Sequence, residues 1–357
     1  MNDNRSHQNT VGGGGLDRSI FHKIISLENL FFAWREFKKN KNKKLDIVNF
    51  SLNLENNIFG LQKELISGQW TCDGYTSFSI RDPKPRKIHK ASVRDRVLYQ
   101  AIHQVLYPIF DNDFIFDSYA SRTGKGTHAG IDRLVKMSRK ISRNYTGQTY
   151  ALKCDIRKFF DSINHNILNN LLKEKIECKK TLDLLAKIID TFHKISGKGL
   201  PLGNVTSQLF ANVYMNKFDW FIKTKISKNY IRYCDDFVIL DSSREKLNLF
   251  IYPIQKFLIE HLKLELHPSK VSIRSFLQGV DFLGAVAMPY HVVPRTKTKK
   301  RIQKKLGKMT YNLQNGKSTK GEFNQSFSSY LGHLSHTKSQ SMRSLIHRYK
   351  KFVRDLP

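Results

Sequence analysis

Acidic residues are scarce in this chain of 357 residues: 30 Asp+Glu stand against 61 Lys+Arg, giving a formal net charge of +31 and a pI near 10.0. Solubility needs far less charge, so the imbalance points to a polyanionic partner. Cysteine is scarcer still. Cys72, Cys154, Cys178 and Cys234 lie far apart with no C-x-x-C pair, which argues against a disulfide framework and a zinc ribbon and leaves free thiols. The 13 histidines form no H-E-x-x-H motif and no Cys/His cluster along the sequence, so a protein-only transition-metal site is not expected. There is no run of about 18 apolar residues to span a bilayer. The polar start MNDNRSHQNT lacks a signal-peptide core, and a cytosolic location is the expectation.

Hydrophobic residues make up 40% and charged residues 25%, enough apolar material for a core and too much for a wholly disordered chain. At roughly 150 residues per domain the length fits two or three domains, or one composite enzyme. Residues 1–15, closing on Gly12 to Gly15, read as a flexible lead. After Ser26, the apolar residues Leu27, Leu30, Phe31, Trp34 and Phe37 recur at helical spacing and run into a basic tail, Lys38 to Lys44. A second stripe, Leu54, Ile58, Leu61 and Leu65, stops near Gly68, and Tyr75–Ile80 reads as a strand. The basic stretch DPKPRKIHKASVRDR, with its two prolines, reads as a loop.

Further along, Tyr150–Cys154 reads as a buried strand delivering Asp155, with Asp161 or Ser162 capping the next helix. Gly197–Gly203 is a Gly/Pro loop, and Ser207 precedes a long apolar helix. Tyr230–Leu240 reads strand, tight turn, strand, with Asp235 and Asp236 at the turn. A helix carrying Leu247, Ile251, Ile254, Leu258 and Leu262 leads to short strands around 264–266 and 271–273. The alternation implies an α/β or α+β class. From Arg295 onward, 16 Lys/Arg face only Glu322 and Asp355 in a helix-like region. That element is suited to gripping nucleic acid.

Carboxylates at a strand end and at a hairpin turn, set in so basic a chain, need a reason. Converging, they would hold hard divalent cations such as Mg²⁺, which prefers oxygen ligands and leaves positions for phosphate oxygens. Two such ions about 3.5 to 4 Å apart stabilise the attacking and leaving oxygens of an in-line phosphoryl displacement. Asp-Asp alone is also an ordinary turn dipeptide. A P-loop is absent, because Lys125 in SRTGKGT has no glycine five residues before Gly124.

The surroundings of the carboxylates carry more. Tyr233, Cys234, Asp235 and Asp236 form the Y-x-D-D signature of reverse transcriptases, and ALKCDIRKFFDSINH resembles the palm motif that holds their first metal-binding Asp. GLPLGNVTSQLFANVYM resembles their nucleotide-holding loop and helix. LKLELHPSKVSI and GVDFLG resemble the two following blocks, and DPKPRKIHKASVRDRVLYQAI and SYASRTGKGTHAG resemble their fingers. The blocks keep the family's order from about Ser77 to Gly284. Leu202, Gly203, Ser207 and Gln208 replace the usual Gln-Gly and Ser-Pro, an L-G-x-x-x-S-Q form that resembles enzymes of diversity-generating retroelements, within the group II intron-like superfamily.

That resemblance implies an α+β right-hand polymerase: N-terminal helices and fingers over 16–150, a palm over 151–292 with part of the fingers at about 165–200, and a basic helical thumb over 293–357. It implies two Mg²⁺ ions, with Mn²⁺ as a substitute, held at Asp155, the adjoining Ile156, Asp235 and Asp236. These three aspartates are the catalytic residues, and no protein nucleophile is needed. Phe160 is the steric gate against a ribose 2′-hydroxyl, with Phe159 facing the core. Arg86 and Lys87 are triphosphate candidates that could equally contact template backbone. Lys270 either protonates the leaving pyrophosphate or touches phosphate only. Arg122, Lys125, Arg295, Lys297, Lys299, Lys300 and Arg301 are nucleic-acid contacts. Leu202, in place of an amide, loosens the grip on the incoming nucleotide, a route to misincorporation, while Gln208 either shapes the loop or stabilises the helix start. Cys234, at a position often Met or Ala in relatives, leaves the carboxylates intact.

The implied activity is error-prone, adenine-mutagenic cDNA synthesis from a template-repeat RNA to diversify a target gene, in a bacterial, archaeal or phage-encoded setting. The implied partners are template RNA, primer and cDNA, dNTPs, and a small basic ring-forming accessory protein. The alternatives are an intron-like or phage-defence reverse transcriptase and, in another class, an idle RNA-binding scaffold. Nothing after Arg295 resembles a nuclease, so the enzyme is expected neither to degrade its template nor to integrate its product unaided.

Overall fold

The structure, a computed structural model, describes residues 15–81, 85–334, 337, 344–349 and 351. In chain order the elements begin with helices α1 (Gly15–Ile25), α2 (Leu27–Lys38), α3 (Leu45–Leu52) and α4 (Leu54–Ser67). Strands β1 (Tyr75–Ile80) and β2 (Arg86–Ala91) follow, then α5 (Val93–Asp111), α6 (Thr127–Ile141) and β3 (Tyr150–Asp155). Next come α7 (Phe159–Ser162), α8 (His165–Lys173), α9 (Lys179–Asp190), α10 (Val205–Phe221), β4 (Tyr230–Tyr233), β5 (Asp236–Asp241) and α11 (Arg244–Leu262). The chain continues with β6 (Ser272–Ser275), β7 (Val280–Phe282), β8 (Ala285–Met288), β9 (His291–Pro294), α12 (Thr296–Gln314) and α13 (Lys320–Leu334).

Among the described residues the chain forms two compact units. The first takes the residues up to Ile115, Arg157–Trp220 and Phe257–Glu265; the second takes Phe116–Ile156, Phe221–Lys256 and the residues from Leu266 on.

In the first unit, helix α2 forms as its sequence predicts. Ser26 caps it by accepting from Asn29 N–H, and Leu30, Ala33, Trp34 and Phe37 are buried at helical spacing. Helix α4 stops where Gly68 takes φ +72°, a left-handed conformation that glycine adopts without a Cβ penalty. The basic stretch read as a loop is corrected: Arg86–Ala91 is strand β2, antiparallel to β1 from Ile80↔Arg86 to Tyr75↔Ala91. Proline forbids a ladder bond only at its own position, and β1 supplies a partner for the residues beyond. Asp82, Pro83 and Lys84 lie outside the described residues, as do residues 1–14 of the flexible lead. Gly15 opens α1 and leaves that lead.

The cap of α8 also differs from expectation. Asn164 supplies it, accepting from Ile167 N–H, because Asp161 and Ser162 are taken up by the short helix α7. Helix α10 starts at Val205, so Ser207 lies inside its first turn rather than before it.

The second unit is built on a four-stranded antiparallel sheet in the order β4-β5-β3-β6. Its apolar side joins α6 and the three-stranded sheet β7-β8-β9 in one core that includes Leu134, Met137, Ala151, Ile231, Val238, Leu240, Phe276 and Phe282. All pairs of named strands are antiparallel, which makes the fold α+β rather than α/β. The strand expected around 264–266 reduces to one bridge, Ile156↔Leu266, and the next begins at Ser272. Helices α12 and α13 form a satellite core of Ile302, Leu306, Phe323, Phe327 and Leu334.

Candidate active site

The carboxylates sit in the second unit, and the sheet brings them together. Strand β3 runs Tyr150–Asp155 with Ala151, Leu152 and Cys154 buried, and Asp155 is the residue at its C-terminal end. Strands β4 and β5 form a hairpin in which Tyr233 pairs with Asp236, leaving Cys234 and Asp235 as the turn. Asp236 thus belongs to the strand, not the turn, and stands directly across from Asp155. Cys234 takes φ +59°, and burial pushes its thiol up to about 12, with Asp235 adding to the shift.

Burial likewise pushes the Asp236 carboxyl up to about 7; Lys153 opposes the shift, while the charges of Asp155 and Asp235 reinforce it. The mutual repulsion marks the three carboxylates as one electrostatic site. Lys270 Nζ donates to Asp155 Oδ1 at 2.7 Å, and Lys153 Nζ lies 3.4 Å from Asp236 Oδ2 while donating to Asp281 O at 2.6 Å. Asp236 Oδ1 is buried with no hydrogen-bond partner among the described residues. Ile156 donates its backbone N–H to Asp235 O at 3.1 Å. Three hard oxygen donors, one of them holding a buried atom without a partner, fit a hard divalent cation.

The expected nucleotide-loop residues sit in the first unit. Leu200 N–H donates to Phe160 O at 2.8 Å, and His89 N–H on β2 donates to Leu202 O at 3.2 Å. The loop is therefore stitched both to the start of α7 and to the strand carrying Arg86 and Lys87, which are exposed. Phe159 is buried and Phe160 half-buried, their rings edge-on at 5.4 Å. Gly203 has φ +121°, and a Cβ there would stand 3.2 Å from Ile88 Cγ2. Gln208 is exposed on the first turn of α10.

Among the basic candidates, Arg122 Nη1 donates to Ser118 O at 3.2 Å. Lys125 Nζ donates to Phe116 O at 2.9 Å and lies 3.4 Å over the Phe116 ring. Arg295 is held by Asp281, which accepts from its Nε at 2.7 Å and from a second guanidinium nitrogen. Lys297 and Lys300 are exposed, Lys299 and Arg301 half-buried. The exposed Lys297, Lys300, Lys304 and Lys308 follow one face of α12, away from buried Ile302 and Leu306.

Two groupings escaped the sequence reading. Lys153 and Arg232 lie on palm-like strands whose alternation looks merely structural. His165, Asp190 and His193 each place a ligand-type atom within 4.8 Å of the other two. Their spacing in sequence announces nothing, because the chain must fold back at Gly197–Gly199 to bring them together: His165 N–H donates to Gly197 O at 3.0 Å, and His165 Nε2 donates to Gly199 O at 2.7 Å.

Two carboxylates paired across neighbouring antiparallel strands, with a third in the adjoining turn, within a chain of net charge +31, are the equipment of a metal-dependent enzyme that works on nucleic acid. Residues 80–287 match the family model described as reverse transcriptase (RNA-dependent DNA polymerase). This is more than half of the chain, and the chain belongs to that family. It is 25% identical over 267 residues to Protein YkfC of Escherichia coli, covering 63% of this chain and 69% of that protein. It is 23% identical over 271 residues to the group II intron-encoded protein LtrA of Lactococcus lactis, covering 56% of this chain and 44% of LtrA. The chain thus spans less than half the length of LtrA. Among solved structures it is similar to apo telomerase from Candida tropicalis, with a TM-score of 0.49, 12% identity and coverage of 80% of this chain and 63% of that one.

The fold is the α+β right-hand polymerase fold, and the enzyme class is RNA-directed DNA polymerase, with nucleic-acid template and dNTPs as the substrates the domain implies. Enzymes of this family use divalent metal ions. No helix among the described residues is long and apolar enough to cross a membrane.

Proposed function

We propose that the chain copies an RNA template into DNA at the carboxylate site, with Asp155 and Asp235 holding two Mg²⁺ ions and Asp236 and the Ile156 backbone supporting them. The observation that carries this reading is Asp236 Oδ1, buried and without a partner beside two further carboxylates. When bound, the ions polarise the reacting phosphate and stabilise the charge on the attacking and leaving oxygens. The protein's own groups do the rest. Lys270, already at Asp155, is placed to meet phosphate oxygens, Phe160 screens the sugar, and Arg86 and Lys87 meet the triphosphate. We assign the palm to 151–292, the fingers to 16–150 with part of 165–200, and the thumb to 293–357. Arg122, Lys125 and the basic residues from Arg295 to Arg301 hold the duplex through its backbone.

The finer reading is a diversity-generating enzyme that errs at template adenines, working in the cytoplasm with a structured template RNA and a small basic accessory protein. Leu202, whose side chain offers no amide to the incoming nucleotide, supports it. The similarity to LtrA favours a second reading, an intron-type reverse transcriptase. Primer extension on a long RNA with Mg²⁺ and dNTPs, with products sequenced and Asp235→Ala alongside, separates them. Errors concentrated opposite adenines support the first reading, and evenly low errors support the second. Synthesis that survives Asp235→Ala, or no synthesis in any partner condition, overturns both.

A further inference from the structure

The structure assigns Arg232 the task of aiming Asp235, an inference that rests on the reading of Asp235 as a metal-holding carboxylate. Arg232 is on β4, two residues before the turn, and its side chain is fully buried. Its neighbours Tyr230, Ile231, Phe237 and Val238 are buried too. An aliphatic residue would fill this position without the penalty of removing a guanidinium from water. What an aliphatic residue lacks is a fork of donors. Nη1 of Arg232 donates to Cys234 O at 3.0 Å, and Nη2 donates to Ser118 Oγ at 3.1 Å.

The first of these bonds fixes the peptide that precedes Asp235. The peptide that follows Asp235 is fixed by a second bond, in which Ile156 N–H donates to Asp235 O at 3.1 Å. Because each peptide unit is planar, holding both flanking planes holds the φ and ψ of the residue between them. The carboxylate therefore springs from a backbone set in advance of any ion. The turn needs such support, since Cys234 sits at φ +59°, which a non-glycine residue keeps only where its surroundings impose it.

Ser118 is a firm anchor for the second donor. It is fully buried, and its segment lies along β4 as a parallel bridge, with Arg232 N–H donating to Asp117 O at 3.0 Å and Tyr119 N–H to Arg232 O at 2.9 Å. Asp117 is in turn gripped by Arg133 Nε at 2.7 Å and Lys223 Nζ at 2.6 Å. The SYASR segment thus becomes a back plate for the carboxylate turn, transmitted through one side chain. Arg232 touches neither substrate nor ion in this arrangement; it is a positioning residue. Lysine cannot replace it, because one ammonium cannot hold two divergent acceptors in a plane.

The test uses the full chain with Arg232→Lys, Ser118→Ala, Asp235→Ala and Leu134→Ala, the last loosening the same core without touching the turn. Three quantities are read: thermal melting, Mn²⁺ binding from the electron paramagnetic resonance of free Mn²⁺, and the Mg²⁺ dependence of primer extension. Arg232→Lys is expected to lose Mn²⁺ affinity roughly tenfold or more, the effect of one hydrogen bond from a charged donor. Its Mg²⁺ requirement should rise in parallel. Ser118→Ala shifts both in the same direction by less, and Leu134→Ala lowers melting while leaving both in place. Wild-type Mn²⁺ affinity in Arg232→Lys and Ser118→Ala, or an equal loss in Leu134→Ala, overturns the proposal. If Arg232→Lys shows no cooperative melting, Ser118→Ala decides alone. Wild-type Mn²⁺ affinity in Asp235→Ala instead overturns the carboxylate reading itself, whatever Arg232 does.

Discussion

Asp155 and Asp236 stand directly opposite each other on neighbouring antiparallel strands, so both side chains leave the sheet on one face. Like charges in that relation destabilise a sheet, and Lys270 and Lys153 beside them offset only part of the repulsion. In the metal-free protein the Asp236 carboxyl accordingly rises to about 7 from 3.8, burial being the main cause. The native state then binds more protons than the unfolded chain between those values. The stability this group contributes is full below its unfolded pKa and is lost as pH rises through about 7. Asp236→Asn should therefore melt above wild type in EDTA at pH 8, with the difference shrinking at pH 5, while primer extension is lost. Melting curves at the two pH values check it, and a lower melting point for the variant at pH 8 would refute it.

The loop at Gly203 depends on a residue without a side chain. Gly203 at φ +121° lies where a Cβ would press on Ile88 Cγ2 of β2. Gly203→Ala should destabilise the first unit by on the order of 1–3 kcal/mol, the usual cost of a forbidden backbone region. Ile88→Ala removes Cγ2, so the double variant measured against Ile88→Ala alone should regain only the steric share, leaving the backbone share. Denaturant titration of the single and double variants distinguishes the two. Full restoration would mean that crowding, not φ, governs this position.

Much of this was readable in the residues. The strand into Asp155 and the hairpin around Asp235 follow from short apolar runs broken by polar residues, and α2 and α4 follow from apolar residues at helical spacing and a terminal glycine. Strand β2 was hidden because its basic, proline-flanked composition reads as a loop until β1 is present to pair with it. The Asn164 cap was hidden for a similar reason: three capping residues stand close together, and only the fold of α7 decides which is free to cap. The three aspartates stood out by motif. The supporting side chains Lys153, Arg232 and Ser118 did not, since strand alternation gives no sign of which buried polar residue faces a turn.

Leu202 offers a clean substitution. Its carbonyl accepts from His89 N–H at 3.2 Å, so the main chain of the loop is held independently of the side chain. Leu202→Gln should therefore add an amide without moving the loop. Under the diversity-generating reading, sequenced cDNA from the variant should show fewer errors opposite template adenines and an unchanged error rate opposite the other bases. An identical error spectrum would disconnect this side chain from fidelity.

Lys297, Lys300, Lys304 and Lys308 form an exposed line on α12, over a length of about 16 Å at 1.5 Å per residue. Buried Ile302 and Leu306 fix the opposite face of the helix against α13, so the line cannot rotate away without breaking that core. A line of ammonium groups on a fixed helix contacts backbone phosphates rather than bases, and binding then proceeds with release of condensed counterions. Each Lys→Gln substitution should weaken binding of an RNA–DNA hybrid uniformly across sequences and lower the slope of log K against log salt by about 1. The slope, read from anisotropy titrations at several salt concentrations, is the deciding quantity because a folding defect would lower affinity without changing it. An unchanged slope across all four substitutions would remove this face of α12 from the nucleic-acid contact and leave Arg122, Lys125, Arg295, Lys299 and Arg301 as the candidates.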